Sequence, residues 1–266
     1  MCHKFGTIRA RSRVAVVQPT GGAHERRSHA GNKTDCFSRG GLVKTLEGEK
    51  ELRQAYGLRH RVFAERLKWV PEREGRLESD VYDAWSASIG LFSSQQELLG
   101  MVRMTPAPLP FMLESEFSGC LVGSHPVRKE LDTAEIARLA VDPAITDRGL
   151  SVKVMRTLIK GSYQWCLAND VRYTYVVVEN RLIRVLRLMG WPCRQIGEPV
   201  ALPPADVLSI ASLIDLDEFR ANAALERPDI LEWFSAVDAA PIVSAEPVPL
   251  HMGTSSESYD VQRRAA

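Results

Sequence analysis

The chain has 266 residues, 45% of them hydrophobic and 25% charged, which fits a folded domain and excludes collagen-like, low-complexity and wholly disordered chains. Its 34 Lys and Arg against 33 Asp and Glu leave a net charge of +1, so no overall field directs it to nucleic acid or to an acidic surface. Cys2, Cys36, Cys120, Cys166 and Cys193 are scattered without a C-x-x-C pair, the pattern of reduced thiols and not of a disulfide or zinc framework. No apolar run approaches the roughly 18 to 20 residues of a membrane helix. A cytoplasmic monomer is expected, with no metal and with neither a membrane nor a nucleic acid as partner.

Residues 1–44 carry Lys4, Arg9, Arg11, Arg13, Arg26, Arg27, Lys33, Arg39 and Lys44 against only Glu25 and Asp35, with no apolar period. They are expected to form a disordered basic extension. Over 47–65, Leu52, Ala55, Tyr56, Val62 and Phe63 recur at helical spacing, the mark of an amphipathic helix. Segments 87–92 and 98–104 flank the polar SSQQE stretch and read as a β-hairpin. A strand is expected over 135–141, ended by Asp-Pro, and a long helix over 145–169 with the stripe Leu150, Val154, Leu158 and Ile159. RYTYVVV, 172–178, has the strongest strand signal and feeds a short helix, 181–189, closed by Gly190. Strands near 194–197 and 207–216 complete the pattern, and from Ala239 a Pro, Ser and Glu composition predicts a disordered tail over 239–266. One domain, 45–238, is expected as an α/β fold, a mixed twisted sheet flanked by helices on both faces.

Charges sit where apolar residues belong. Arg59 falls in the middle of the apolar face of the first helix, where an unpaired guanidinium costs several kcal/mol. Asp80 and Asp83, in LESDVYD, are three apart, a spacing that a turn converges and a straight strand does not. Arg103 ends an apolar strand (LLGMVRM), and Glu135 and Arg138 lie inside the strand EIARLAV. Strict alternation would put these last two on opposite faces. Either they serve different neighbours or a β-bulge between them re-aims one side chain; the bulge is the expected arrangement, and it would splay the neighbouring strands and open a slot for an extended substrate.

The ordered set LRHRVFAERLKW, LESDVYD, MVRM, AEIARLAVD and YTYVVVENRLIRVLRLMGWP resembles the acyl-homoserine-lactone synthases, the LuxI-type autoinducer synthases, from about Leu52 to Glu198. The family's run of Arg, Phe, Trp, two Asp, Arg and Glu-x-x-Arg falls on Arg59, Phe63, Trp69, Asp80, Asp83, Arg103, Glu135 and Arg138. The resemblance implies an acetyltransferase-like fold and the joining of an acyl chain, from acyl carrier protein or acyl-CoA, to S-adenosylmethionine. Methylthioadenosine and an N-acyl-homoserine lactone used in quorum sensing would be released. S-adenosylmethionine then enters as a substrate, and no cofactor is expected.

That chemistry assigns expected roles. Amide formation needs a neutral amine, so a carboxylate must accept a proton from the α-ammonium, and Glu135 is the candidate, with Arg138 beside it. Arg59, Arg103 and Arg138 would hold carboxylates, and Phe63 and Trp69 would meet the adenosyl and sulfonium groups. Val176 is placed by the resemblance in the acyl slot, where a threonine or serine hydroxyl accompanies 3-oxo donors. The ITDRGLSVK segment has a single glycine and lacks a diphosphate nest, which favours a carrier-protein donor. Lys153, Arg156 and Lys160 on the long helix, with Arg181, Arg184 and Arg187 on the short one, are the expected docking face for that acidic partner. An N-acyl amino acid synthase or exosortase-associated acyltransferase on the same scaffold is the alternative, and a non-enzymatic lipid or carrier-protein binding module is a third.

Overall fold

The structure, a computed structural model, describes residues 42–121 and 125–236. Residues 1–41 of the expected basic extension and the expected tail over 239–266 lie outside the described residues. The domain begins earlier than expected: Leu42, Val43 and Lys44 belong to strand β1 (Leu42–Thr45), which pairs antiparallel with β2 (Ala87–Phe92).

The sheet continues through β3 (Leu98–Pro106), β4 (Thr133–Val141), β5 (Tyr173–Glu179), β6 (Arg194–Gln195), β7 (Val200–Leu202) and β8 (Val207–Asp215). Its spatial order is β1-β2-β3-β4-β5-β8-β6, with β7 also on β8. Only the β4–β5 pair is parallel. That pair needs a crossover, supplied by helix α2 (Arg148–Ala168).

Helix α1 (Gly48–Arg59) lies on one face and packs Ala55 and Leu58 on Met101 and Ala140. On the other face α2 inserts Val154 and Leu158 against Leu99 and Val102. The alternation of Met101 and Val102 between the two clusters is the period-2 pleat of β3. Gly100 lets α2 approach closely, since a Cβ there would lie 2.8 Å from Leu158 and 2.9 Å from Val154. Helix α3 (Asn180–Leu188) follows β5, and Gly190, at φ +85, ends it in the left-handed conformation that glycine adopts without strain.

Two helices extend the expected pattern. Asp215 ends β8 and caps α4 (Leu216–Glu226) by accepting from Asp217 N at 2.9 Å, and Pro228 starts α5 (Pro228–Ser235). Both pack on α2. Phe219 and Phe234 are fully buried, meeting Tyr163 edge-on with ring centroids 5.5 and 5.2 Å away.

The expected helix over 47–65 also changes character. After Arg59 the backbone widens into a π-helix, His60–Arg66, which closes with Leu67 N donating to Val62 O and Trp69 N to Phe63 O. This wider turn carries Phe63 toward Trp69, and such turns recur at functional sites.

Candidate active site

Asp80 and Asp83 converge because the segment between them is a 3-10 turn, Val81–Ala84. Asp80 accepts from Tyr82 N at 3.0 Å while Asp83 accepts from Asp80 N at 2.8 Å, a reciprocal cap. Three arginines from three elements meet these carboxylates. Arg59, at the end of α1, donates to Asp83 at 2.6 Å, to Asp80 at 3.3 Å and through Nε to Glu78. Arg103, on β3, donates to Asp80 and, at 2.9 Å, to Asp83. Arg138, on β4, donates to Asp80 at 2.9 Å and to Glu78 at 3.1 Å. The sulfur of Met112 lies 2.8 Å from Arg103 Nη2 and 3.5 Å from Arg138 Nη1.

Arg59 and Arg103 are fully buried. Burial alone would raise the Glu78 and Asp83 carboxyls, but Arg59, with Arg138 at Glu78 and Arg103 at Asp83, outweighs it and holds both below the ordinary carboxylate range. Three positive and three negative groups thus neutralise one another inside the fold.

Glu78 was not among the residues singled out by sequence, although it lies in LESDVYD. The signal was charge count, because three inward arginines need a third carboxylate besides the two aspartates once Glu135 is otherwise engaged. Met112 gave no signal.

Glu135 is indeed otherwise engaged. It is buried, and its two oxygens accept from the backbone N–H groups of Met112 and Leu113, each at 2.8 Å. Burial pushes its carboxyl above the ordinary value, against the lowering effect of those two donors. The expected bulge follows it directly: β3 and β4 change register between Met101 and Arg103, and Arg138 has φ +53. The extra residue turns Arg138 toward Met112, on the side that Glu135 already faces.

Beyond Ile136, β4 and β5 part, since their pairing ends at Ile136 with Val176. The gap is a slot of about 310 Å³ that reaches toward α2 and α3, lined by Glu135, Val176, Ile159, Leu186 and Trp191 among others. A second cavity of about 290 Å³ adjoins it, bordered by Val70, Met112, Pro203 and Val207. Phe63, Trp69, Arg138 and Glu179 line both. The rings of Phe63 and Trp69 stack at 5.9 Å and 27°, and the Arg138 guanidinium lies 5.5 Å from the Phe63 centroid. The arrangement joins a narrow apolar slot, suited to an extended chain, to an aromatic and charged chamber.

The basic faces are less uniform than expected. Lys153, Arg156, Arg181 and Arg184 are exposed. Lys160 is buried, because Trp233 of α5 lies over this side of α2, with the ammonium 5.2 Å and the Arg156 guanidinium 5.1 Å from its ring. Arg187 is tied to the carbonyl of Cys193 at 3.2 Å. Among the described residues no helix is long and apolar enough to cross a membrane, and no cluster of three His, Cys, Asp or Glu is placed to hold a metal.

Comparison with known proteins decides the family. Residues 44–224 match the autoinducer synthases, and the acyl-homoserine-lactone synthase of Agrobacterium fabrum strain C58 is 31% identical over 199 residues, 73% of this chain and 92% of the relative. The chain belongs to the autoinducer synthase family. Its fold is that of a solved CoA-dependent acyl-homoserine lactone synthase, BjaI with MTA, at TM-score 0.59 and 18% identity over 70% of this chain and 91% of that one. FeeM, an N-acyl amino acid synthase, shares this synthase's fold at TM-score 0.53 and 16% identity over 68% and 93% of the two chains, so the fold alone does not separate the two chemistries.

Proposed function

We propose that this synthase transfers an acyl group from a thioester to the α-amine of S-adenosylmethionine and releases an N-acyl-homoserine lactone and methylthioadenosine. The observation that carries this reading is the union of the apolar slot between β4 and β5 with the Phe63 and Trp69 chamber, which brings an acyl chain and a nucleoside sulfonium to one meeting point. Glu135 borders the slot and is proposed to accept the amine proton through a water, because both of its oxygens hold backbone N–H groups, and its raised basicity supports that role. Arg138 is proposed to steady the substrate carboxylate. Lactone closure then needs only that this carboxylate be folded back on the γ-carbon, since the sulfonium makes methylthioadenosine a good leaving group.

An acyl carrier protein is proposed as donor. Asp147 accepts from Leu150 N at 2.6 Å and occupies the N-terminus of α2 with a carboxylate, which disfavours the CoA diphosphate there. Lys153, Arg156, Arg181 and Arg184 present exposed positive charge for the acidic carrier.

Incubating the purified synthase with S-adenosylmethionine and a series of acyl carrier proteins and acyl-CoAs, followed by mass spectrometry, tests the reading. Stoichiometric methylthioadenosine and acyl-homoserine lactone are expected. An acylated amino acid formed without methylthioadenosine would replace this reading with the N-acyl amino acid synthase.

A further inference from the structure

We propose that Glu179 is the carboxylate that receives the α-ammonium of S-adenosylmethionine where the two cavities meet. This rests on the function proposed above. An acyl transfer requires the attacking nitrogen at the thioester carbonyl, so the nitrogen must sit where the slot joins the aromatic chamber.

Of the residues that line both cavities, two are charged, Arg138 and Glu179. Arg138, paired with Glu78 and Asp80, carries the wrong sign for an ammonium. Glu179 ends β5 and begins α3, yet its carboxylate does not cap that helix and has no hydrogen-bond or ion-pair partner among the described residues.

The other carboxylates nearby are committed. Glu135 holds Met112 N and Leu113 N, Glu116 accepts from Tyr82 Oη and from Ser115 Oγ, and the three acids of the buried network hold its three arginines. S-adenosylmethionine brings two positive groups and one negative. An ammonium entering this junction therefore finds one half-buried, uncommitted anion, Glu179. Loss of a charge-assisted hydrogen bond in such a setting weakens binding strongly.

Glu179→Gln preserves shape and removes the charge, and because the side chain holds nothing in the free protein, the fold is expected to be unaffected. Glu179→Asp retains the charge on a shorter arm and should bind between the two. Calorimetric titration with three nucleosides separates the possibilities: S-adenosylmethionine, S-adenosylhomocysteine, which keeps the ammonium without the sulfonium charge, and methylthioadenosine, which has neither. The expected result is that Gln weakens the first two by about tenfold or more and leaves methylthioadenosine within about twofold. Equal loss of all three, or no loss, overturns the assignment, and loss confined to S-adenosylmethionine would show that Glu179 meets the sulfonium instead. If wild type binds none of the three, the functional reading fails and this proposal falls with it.

Discussion

Arg59 Nη1 meets Asp83 Oδ1 at 2.6 Å across 24 residues of sequence, tying the end of α1 to the 3-10 turn that precedes the sheet's first hairpin. The contact belongs to a network in which no charge is spare. Arg59→Ala would leave Glu78 and Asp83 buried beside two remaining cations, and breaking a buried ion network in this way costs about 3 to 5 kcal/mol. Denaturant unfolding should show that loss. Arg59→Lys should recover only part of it, because one ammonium does not span the three carboxylates that the planar guanidinium reaches. An unchanged midpoint for the alanine variant would contradict the network.

Glu135→Gln should be costly in two ways. A carboxylate accepts from both Met112 N and Leu113 N, whereas an amide offers one oxygen and turns an N–H₂ toward the second donor. The expected loss of stability is about 1 to 3 kcal/mol. Turnover should fall by far more than threefold, which corresponds to only about 0.65 kcal/mol of barrier. Steady-state release of methylthioadenosine, compared with the melting temperature of the same preparation, checks both, and activity within about threefold of wild type would remove Glu135 from proton transfer.

Stability should depend on pH with two opposite contributions. Glu78 and Asp83 are held below their ordinary values, so their contribution is complete above the unfolded-chain values near 4 and is lost as pH falls through the folded ones. Glu135 is raised, so the folded state keeps its proton more tightly, and stability from this group falls as pH rises beyond about 4.3. Wild type should therefore lose stability in acid, while the difference between wild type and Glu135→Gln should shrink as pH rises. Urea titrations at several pH values test the slopes, and a difference that grows with pH would reverse the sign assigned to Glu135.

Val176 lines the slot and is buried. Valine has the shape of threonine without its hydroxyl, so a 3-oxo group beside it would lose a hydrogen-bond partner at a cost of about 1 to 3 kcal/mol. Wild type is expected to prefer unsubstituted acyl donors, and Val176→Thr should shift the ratio of kcat/KM values toward 3-oxo donors. A wild-type preference for 3-oxo chains, or an unmoved ratio, would dissociate Val176 from donor choice.

Helix phase was enough to place Arg59 inside, and the parity of Glu135 and Arg138 was enough to favour a bulge over separate neighbours, because both inferences rest on the geometry of a single element. What depended on contacts between distant elements was not legible. Lys160 follows Arg156 at i+4 and reads as part of a solvated face, yet Trp233, more than seventy residues later, covers it. The π-helix at His60–Arg66 leaves the same apolar spacing as an α-helix over so short a run. Glu78 is marked only by the count of inward charges, and its place between Arg59 and Arg138 follows from contacts across distant elements.

The direction of the Arg138 side chain is governed by a count. Two residues of β4, Arg138 and Leu139, lie opposite Val102 alone of β3. Removing Leu139 would restore one-to-one pairing between β3 and β4 and turn Arg138 off Met112. A one-residue change in the length of this strand would thus redirect the Arg138 guanidinium away from Glu78 and Asp80 with every neighbouring side chain unchanged.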